Sequence, residues 1–107
     1  MPSYLGPFKV KIAAHNKTIG IGSDMRLVCE VTGDLTDVTI HWSKDGFPLL
    51  DDEDDRIKIT LEGELLIEDM MKSDEGRYTC TAKRFHSKIS KSTTIYTQGS
   101  LLSELKF

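Results

Sequence analysis

Apolar and polar residues alternate with a period of two along most of this chain. That spacing puts successive side chains on opposite faces and marks half-buried β-strands. Phe8 to Ile12 alternates apolar residues with Lys9 and Lys11, and reads as an edge strand whose lysines discourage edge-to-edge pairing. Ala13 to Asn16 breaks the pattern, and Thr18 to Ile21 resumes it as a second short strand. From Asp24 to Thr32, Met25, Leu27, Cys29 and Val31 share one face, with Arg26, Val28, Glu30 and Thr32 on the other, largely polar one. Val38, Ile40 and Trp42 face one way in the next strand, which runs to Lys44. Lys44-Asp45-Gly46 is a hairpin signal. Phe47 to Leu50 contains Pro48, which confines it to a sheet edge. Arg56 to Leu61 alternates again, Glu62-Gly63-Glu64 turns, and Leu65 and Ile67 point inward in the strand that follows. Asp69 to Glu75 forms the crossing to the next strand. Arg77 to Lys83 carries Tyr78, Cys80 and Ala82 on one face, Arg84 to Ser87 caps a hairpin, and Lys88 to Thr97 is the last strand.

One stretch has a form more specific than alternation. Asp74-Glu75-Gly76-Arg77-Tyr78-Thr79-Cys80 reads D-x-G-x-Y-x-C. The aspartate suits a distant cation and a turn, and the glycine permits a backbone angle that other residues resist. A tyrosine two residues before a cysteine suits a buried ring with its hydroxyl returned to the backbone. Trp42 follows Cys29 by 13 residues, and Cys80 follows Cys29 by 51. With these residues the chain resembles the immunoglobulin superfamily, whose marks are the Cys…Trp…Cys spacing and the tyrosine corner.

The resemblance implies an all-β, immunoglobulin-like Greek-key sandwich of two antiparallel sheets. It implies a structural disulfide between Cys29 and Cys80, packed under Trp42, with Leu65 and Tyr78 in the core. It also implies a salt bridge between Arg56 and Asp74. Only 22 residues lie between Trp42 and Leu65, too few for the extra strand pair of a variable-type domain, so the resemblance is to the intermediate set, or I-set. The expected organisation is an N-terminal flank over 1–7, the domain over 8–98, and a linker or tail over 99–107.

Composition narrows the function classes. A chain of 107 residues has the size of one sandwich domain. The net charge of -3 argues against nucleic acid as the main partner. No stretch approaches the roughly 20 apolar residues that span a bilayer, so no membrane insertion is expected of this segment. Met1-Pro2-Ser3-Tyr4 lacks the regions of a signal peptide, and the chain is expected to be a segment of a larger protein with neighbouring domains. A disulfide implies an oxidising compartment, although the resemblance also includes intracellular muscle domains that keep such cysteines reduced. Asn16-Lys17-Thr18 is an N-x-[ST] triplet that makes Asn16 a candidate glycosylation site.

No nucleophile elbow, phosphate loop or C-x-x-C motif is present, so no enzyme and no cofactor are expected. His15, His41 and His86 fall in three different elements, and no metal site is expected of them. The run Asp51 to Asp55 lacks the glycine and the bidentate glutamate of a helix-loop-helix calcium loop, and reads as a solvated connector or a face for a basic protein. The hairpin Arg84-Phe85-His86, flanked by Lys83 and Lys88, joins basic residues to one aromatic and is the candidate partner-binding tip. Leu101, Leu102 and Leu105 stand at helical spacing in the tail, as a linker or a short docking helix. The expected function is a protein-binding module of an extracellular or cell-surface adhesion, receptor or matrix protein. The alternative is a cytoplasmic, sarcomeric domain of a titin-like or myosin-associated muscle protein.

Overall fold

The computed structural model of the chain describes residues 7–13, 18–51 and 54–98. Among the described residues nine strands form two sheets: β1 (Phe8–Ala13), β2 (Thr18–Gly20), β3 (Met25–Gly33), β4 (Thr39–Lys44), β5 (Phe47–Pro48), β6 (Ile57–Ile59), β7 (Glu64–Ile67), β8 (Gly76–Arg84) and β9 (Ser87–Gln98). The four-stranded sheet has the order β1-β3-β7-β6, and the five-stranded sheet β2-β9-β8-β4-β5. A short 3-10 turn, Lys72–Asp74, lies on the crossing between β7 and β8. No helix among the described residues is long and apolar enough to cross a membrane.

The interrupted first strand changes sheets. β1 pairs antiparallel with β3, while β2 pairs parallel with β9. Residues 14–17 between them lie outside the described set, and the candidate Asn16 and His15 with them. Two strands are shorter than the alternation predicts by two residues or more. β6 stops at Ile59 because the next residues close a turn, with the Gly63 amide donating to the Thr60 carbonyl at 3.1 Å. β5 ends at Pro48, which pairs with Ser43; the Leu49 amide still donates to the Trp42 carbonyl at 2.9 Å, and the N–H that Pro48 lacks is on the side away from β4, which suits a sheet edge.

The core lies between the sheets and follows the period-two pattern. Met25, Leu27 and Cys29 of β3 and Leu65 and Ile67 of β7 meet Trp42 of β4 and Tyr78, Cys80 and Ala82 of β8, all buried. Met70 on the crossing is also buried, as are Phe8, Val10 and Ile95. A disulfide joins Cys29 of one sheet to Cys80 of the other with Cα atoms 6.3 Å apart. Trp42 stands directly beside Cys80 in the β4–β8 register, so its ring covers the bridge. Burying an aromatic or large aliphatic side chain of this kind contributes about 1.5–3 kcal/mol.

Candidate functional site

The residues that mark the chain in sequence converge on one end of the sandwich. Arg56 donates to both carboxylate oxygens of Asp74, from Nη1 to Oδ2 at 2.8 Å and from Nη2 to Oδ1 at 3.2 Å. Nη1 also reaches the carbonyls of Glu68 and Asp69 at 3.2 and 3.1 Å. Asp74 Oδ2 accepts the Met71 amide at 2.8 Å, which closes the 3-10 turn. Burial works to raise the Asp74 pKa. The hydrogen bonds from Arg56 and the Met71 amide, and the charges of Arg56 and Lys44, outweigh it and hold the carboxyl below its usual range. The same contact raises Arg56, first through its hydrogen bond to Asp74. The Tyr78 hydroxyl donates to the Asp74 carbonyl. Burial, then the carboxylates of Asp74 and Asp45, push the Tyr78 pKa upward.

The glycine of the motif takes the backbone angle its sequence suggests: Gly76 sits at φ +158°, which residues with a side chain rarely adopt. Space adds to this: a Cβ would lie 2.6 Å from Asp45 Oδ2 and 2.9 Å from Lys44 Cε. Asp45 cannot easily withdraw, because its Oδ1 accepts the Arg77 amide at 2.9 Å. Glu75, unassigned in the motif, accepts the Thr97 amide at 2.8 Å and ties β9 to the same corner. These groups hold each other, and Asp45, Asp74 and Tyr78 also line an open hollow of about 520 Å3 beside β5.

At the opposite end, Phe85 and His86 form a two-residue turn between β8 and β9. Phe85 is 74% exposed and adopts φ +52°. That region disfavours bulky residues and costs on the order of 1–3 kcal/mol. His86 is exposed beside it. Arg84 differs from the expectation of an exposed contact residue: it is only 8% exposed. It lies two residues beyond Ala82, on the inward side of the strand. Its guanidinium sits 5.0 Å from the centre of the Phe8 ring, and Nη1 donates to the Asp34 carbonyl at 2.9 Å. The tip thus presents Phe85 and His86, with Arg84 as the anchor beneath them. A cavity of about 370 Å3 opens alongside, lined by Pro7, Phe8, Arg84, Ser87, Lys88 and Ile89.

The acidic connector is partly committed. Asp51 Oδ1 accepts the Ile59 amide at 3.0 Å, and Asp54 Oδ1 accepts the Arg56 amide at 2.9 Å. Residues 52–53 and the tail 99–107 lie outside the described residues. His41 faces outward from β4, next to Thr39 at 3.2 Å. Among the described residues no group of three or more His, Cys, Asp or Glu is placed to hold a metal ion. A cavity of about 520 Å3 between β4 and the β6 edge, lined by Ile40, Leu49, Ile59 and the fully exposed Leu61 among others, had no distinct signal in the sequence. It forms where two short edge strands fail to meet.

Comparison with known proteins places this geometry. A model of the immunoglobulin I-set domain matches residues 8–96. Mouse papilin is 38% identical over 78 residues, 73% of this chain and 6% of papilin. Protein sax-3 of Caenorhabditis elegans is 39% identical over 72% of this chain, which covers 6% of that protein. Rat neural cell adhesion molecule 1 is 35% identical over 64% of this chain, which covers 8% of it. The chain therefore spans under a tenth of each of these relatives. Among solved structures, a chimeric titin Z1Z2 superposes with a TM-score of 0.75 at 22% identity, covering 89% of this chain and 98% of that one. The N-terminal Ig1-2 module of Drosophila receptor protein tyrosine phosphatase DLAR superposes at 0.74 and 22% identity, covering 90% and 48%. Both structures share the fold.

Proposed function

The chain belongs to the immunoglobulin I-set domain family, and from that premise we propose that it is a non-enzymatic protein-interaction module of a larger extracellular or cell-surface protein. Its docking element is the β8–β9 hairpin tip. The observation that carries this reading is Phe85, a large aromatic held out in solvent in a backbone conformation that costs stability. Exposed backbone strain of this kind persists only where the surroundings over-determine it, and such sites concentrate at ligand clamps. Here the surroundings are Arg84 clamped between Phe8 and the Asp34 carbonyl. An aromatic anchor beside a cavity with a polar rim is the anatomy of an interface hot spot.

The extracellular placement is supported by the Cys29–Cys80 disulfide and by the likeness to a protein named for cell adhesion. Glycan on Asn16 and an oxidised cysteine pair, after secretion from eukaryotic cells, are the expected results. Reduced cysteines in protein drawn from its native source would favour the sarcomeric alternative, toward which the titin likeness offers the fold alone.

The docking reading is tested with the domain secreted as a labelled fusion and titrated onto cells, wild type against Phe85→Ala. Saturable binding that the variant loses, with an unchanged melting temperature, is the expected outcome. Equal binding by the variant overturns the assignment to Phe85.

A further inference from the structure

Charge is segregated between the two sheets. The five strands β2, β4, β5, β8 and β9 contain no aspartate or glutamate, in a chain with 17 acidic residues and a net charge of -3. The outward face of this sheet follows from its register. Thr39 stands opposite Lys83, His41 opposite Thr81 and Ser43 opposite Thr79. Across the other junction, Lys83 stands opposite Lys88, Thr81 opposite Ser90, Thr79 opposite Ser92 and Arg77 opposite Thr94. Among the described residues, the acidic residues next to the ends of these strands are in turns, Asp37 and Asp45 beyond the ends of β4 and Glu75 before β8. Asp45 and Glu75 already accept backbone amides there.

Part of the charge on the opposite sheet is neutralised, although its Lys9 and Lys11 form no ion pair among the described residues. There, Arg26 pairs with Glu64 at 2.8 Å and Lys58 with Glu68 at 3.2 Å. Among the described residues no ion pair involves Arg77, Lys83 or Lys88. Lys83 and Lys88 are exposed and directly opposed across the strands. Like charges in that position oppose folding, so an anion between them relieves a repulsion the fold already contains. Between the lysines and the hydroxyls lies a hollow of about 290 Å3, whose lining includes His41, Ser43, Pro48, Thr81, Lys83 and Lys88. The hydroxyls run in cross-strand pairs, Thr79 with Ser92 at 2.7 Å and Thr81 with Ser90 at 2.8 Å.

We propose that this face binds a sulfated polysaccharide, laid across the Lys83–Lys88 pair and the hydroxyl rows of β8 and β9. Composition decides the class of partner. Protein interfaces enrich aromatics, Met and Arg and deplete Lys and Ser, the reverse of the composition here. A sulfated sugar chain matches it: its anions meet compact lysine charges, and its hydroxyls meet threonine and serine, which both donate and accept. The site adjoins the Phe85 tip, since Lys88 also lines the cavity beside Phe85, and Phe85→Ala, which leaves both lysines in place, distinguishes failure of one reading from failure of the other.

The test is titration with heparin-derived oligosaccharides at a series of salt concentrations. Wild type is expected to bind, with affinity falling steeply as salt rises. The double variant Lys83→Ser/Lys88→Ser is expected to lose roughly tenfold in affinity with a shallower salt slope. Its melting temperature should equal or exceed wild type, because the repulsive pair is gone. Lys9→Ser/Lys11→Ser, on the other sheet, should bind as wild type does. Equal loss in that control overturns the proposal, as does absence of binding by wild type at low salt. Binding of polyglutamate, single-stranded polynucleotide or the desulfated sugar as tight as that of the sulfated chain also overturns it.

Discussion

The indole N–H of Trp42 donates to the carbonyl of Gly63 at 3.0 Å, 21 residues away. The same oxygen accepts the Cys29 amide at 3.3 Å. One turn carbonyl on the four-stranded sheet therefore orients the tryptophan that covers the disulfide and bonds to one of its cysteines. Gly63 can do this because it sits at φ +97° with its Cα against its neighbours. A Cβ there would lie 2.8 Å from Ile40 Cδ1 and 3.3 Å from the Cys29 carbonyl.

Gly63→Ala is accordingly expected to destabilise the domain by about 2–3 kcal/mol, combining a disfavoured backbone angle with core crowding. Gly46 shares a positive φ, +87°, but has nothing within 4 Å of its Cβ position. Gly46→Ala should cost only about 1 kcal/mol. Urea denaturation of both variants measures the difference, and equal costs would show that crowding at Gly63 is not felt.

Arg56 and Asp74 form a two-pronged pair with side-chain exposures of 24% and 9%. Removing one partner strands the other in a partly buried site. Arg56→Ala should lower stability by about 3 kcal/mol, well beyond the ~0–1 kcal/mol of an exposed pair. An unchanged melting temperature in Arg56→Ala would refute a structural role for the pair.

The pH profile has two limbs with defined signs. Asp74 has a lowered pKa in the folded state. Its stabilisation is present above the unfolded value of about 3.9 and is lost as pH falls through the folded value. Tyr78 has a raised pKa. Its stabilisation is present below the unfolded value of about 10 and declines as pH rises above it. Stability against urea should fall on both sides, with Asp74→Asn flattening the acid limb and Tyr78→Phe the alkaline one. Limbs that persist unchanged in these variants would assign the titrations elsewhere.

The disulfide closes a separation of 51 residues between Cys29 and Cys80. Reduction should cost about 4 kcal/mol by the loop-entropy relation. A shift in the urea midpoint on adding dithiothreitol measures it, and a shift of under 1 kcal/mol equivalent would contradict the estimate.

Arg84 and Phe85 are adjacent and should respond in opposite ways. Arg84→Ala removes the contact with Phe8 and the donor to the Asp34 carbonyl, and should destabilise by about 1–3 kcal/mol. Phe85→Gly relieves the positive φ and should stabilise by up to about 1 kcal/mol. Thermal melts of the two variants give the comparison directly.

Local periodicity was enough to read the strands and their inward faces, while the sandwich was implied by the family resemblance that the D-x-G-x-Y-x-C run and the Cys29, Trp42, Cys80 spacing carry. The inward faces are set by alternation along single strands, and alternation is a local property. The same alternation, carried two residues past Ala82, places Arg84 inward, so its burial was legible in principle. Other features depend on residues brought together from afar. The Gly63 carbonyl under Trp42, the closeness of Asp45 to Gly76, and the opposition of Lys83 and Lys88 on a face without acids all arise from strand register and sheet packing. A sequence lists its charges in one dimension, where acidic residues surround the basic ones. Pairing the strands sorts the carboxylates into turns and the opposite sheet, and that sorting created the cationic face.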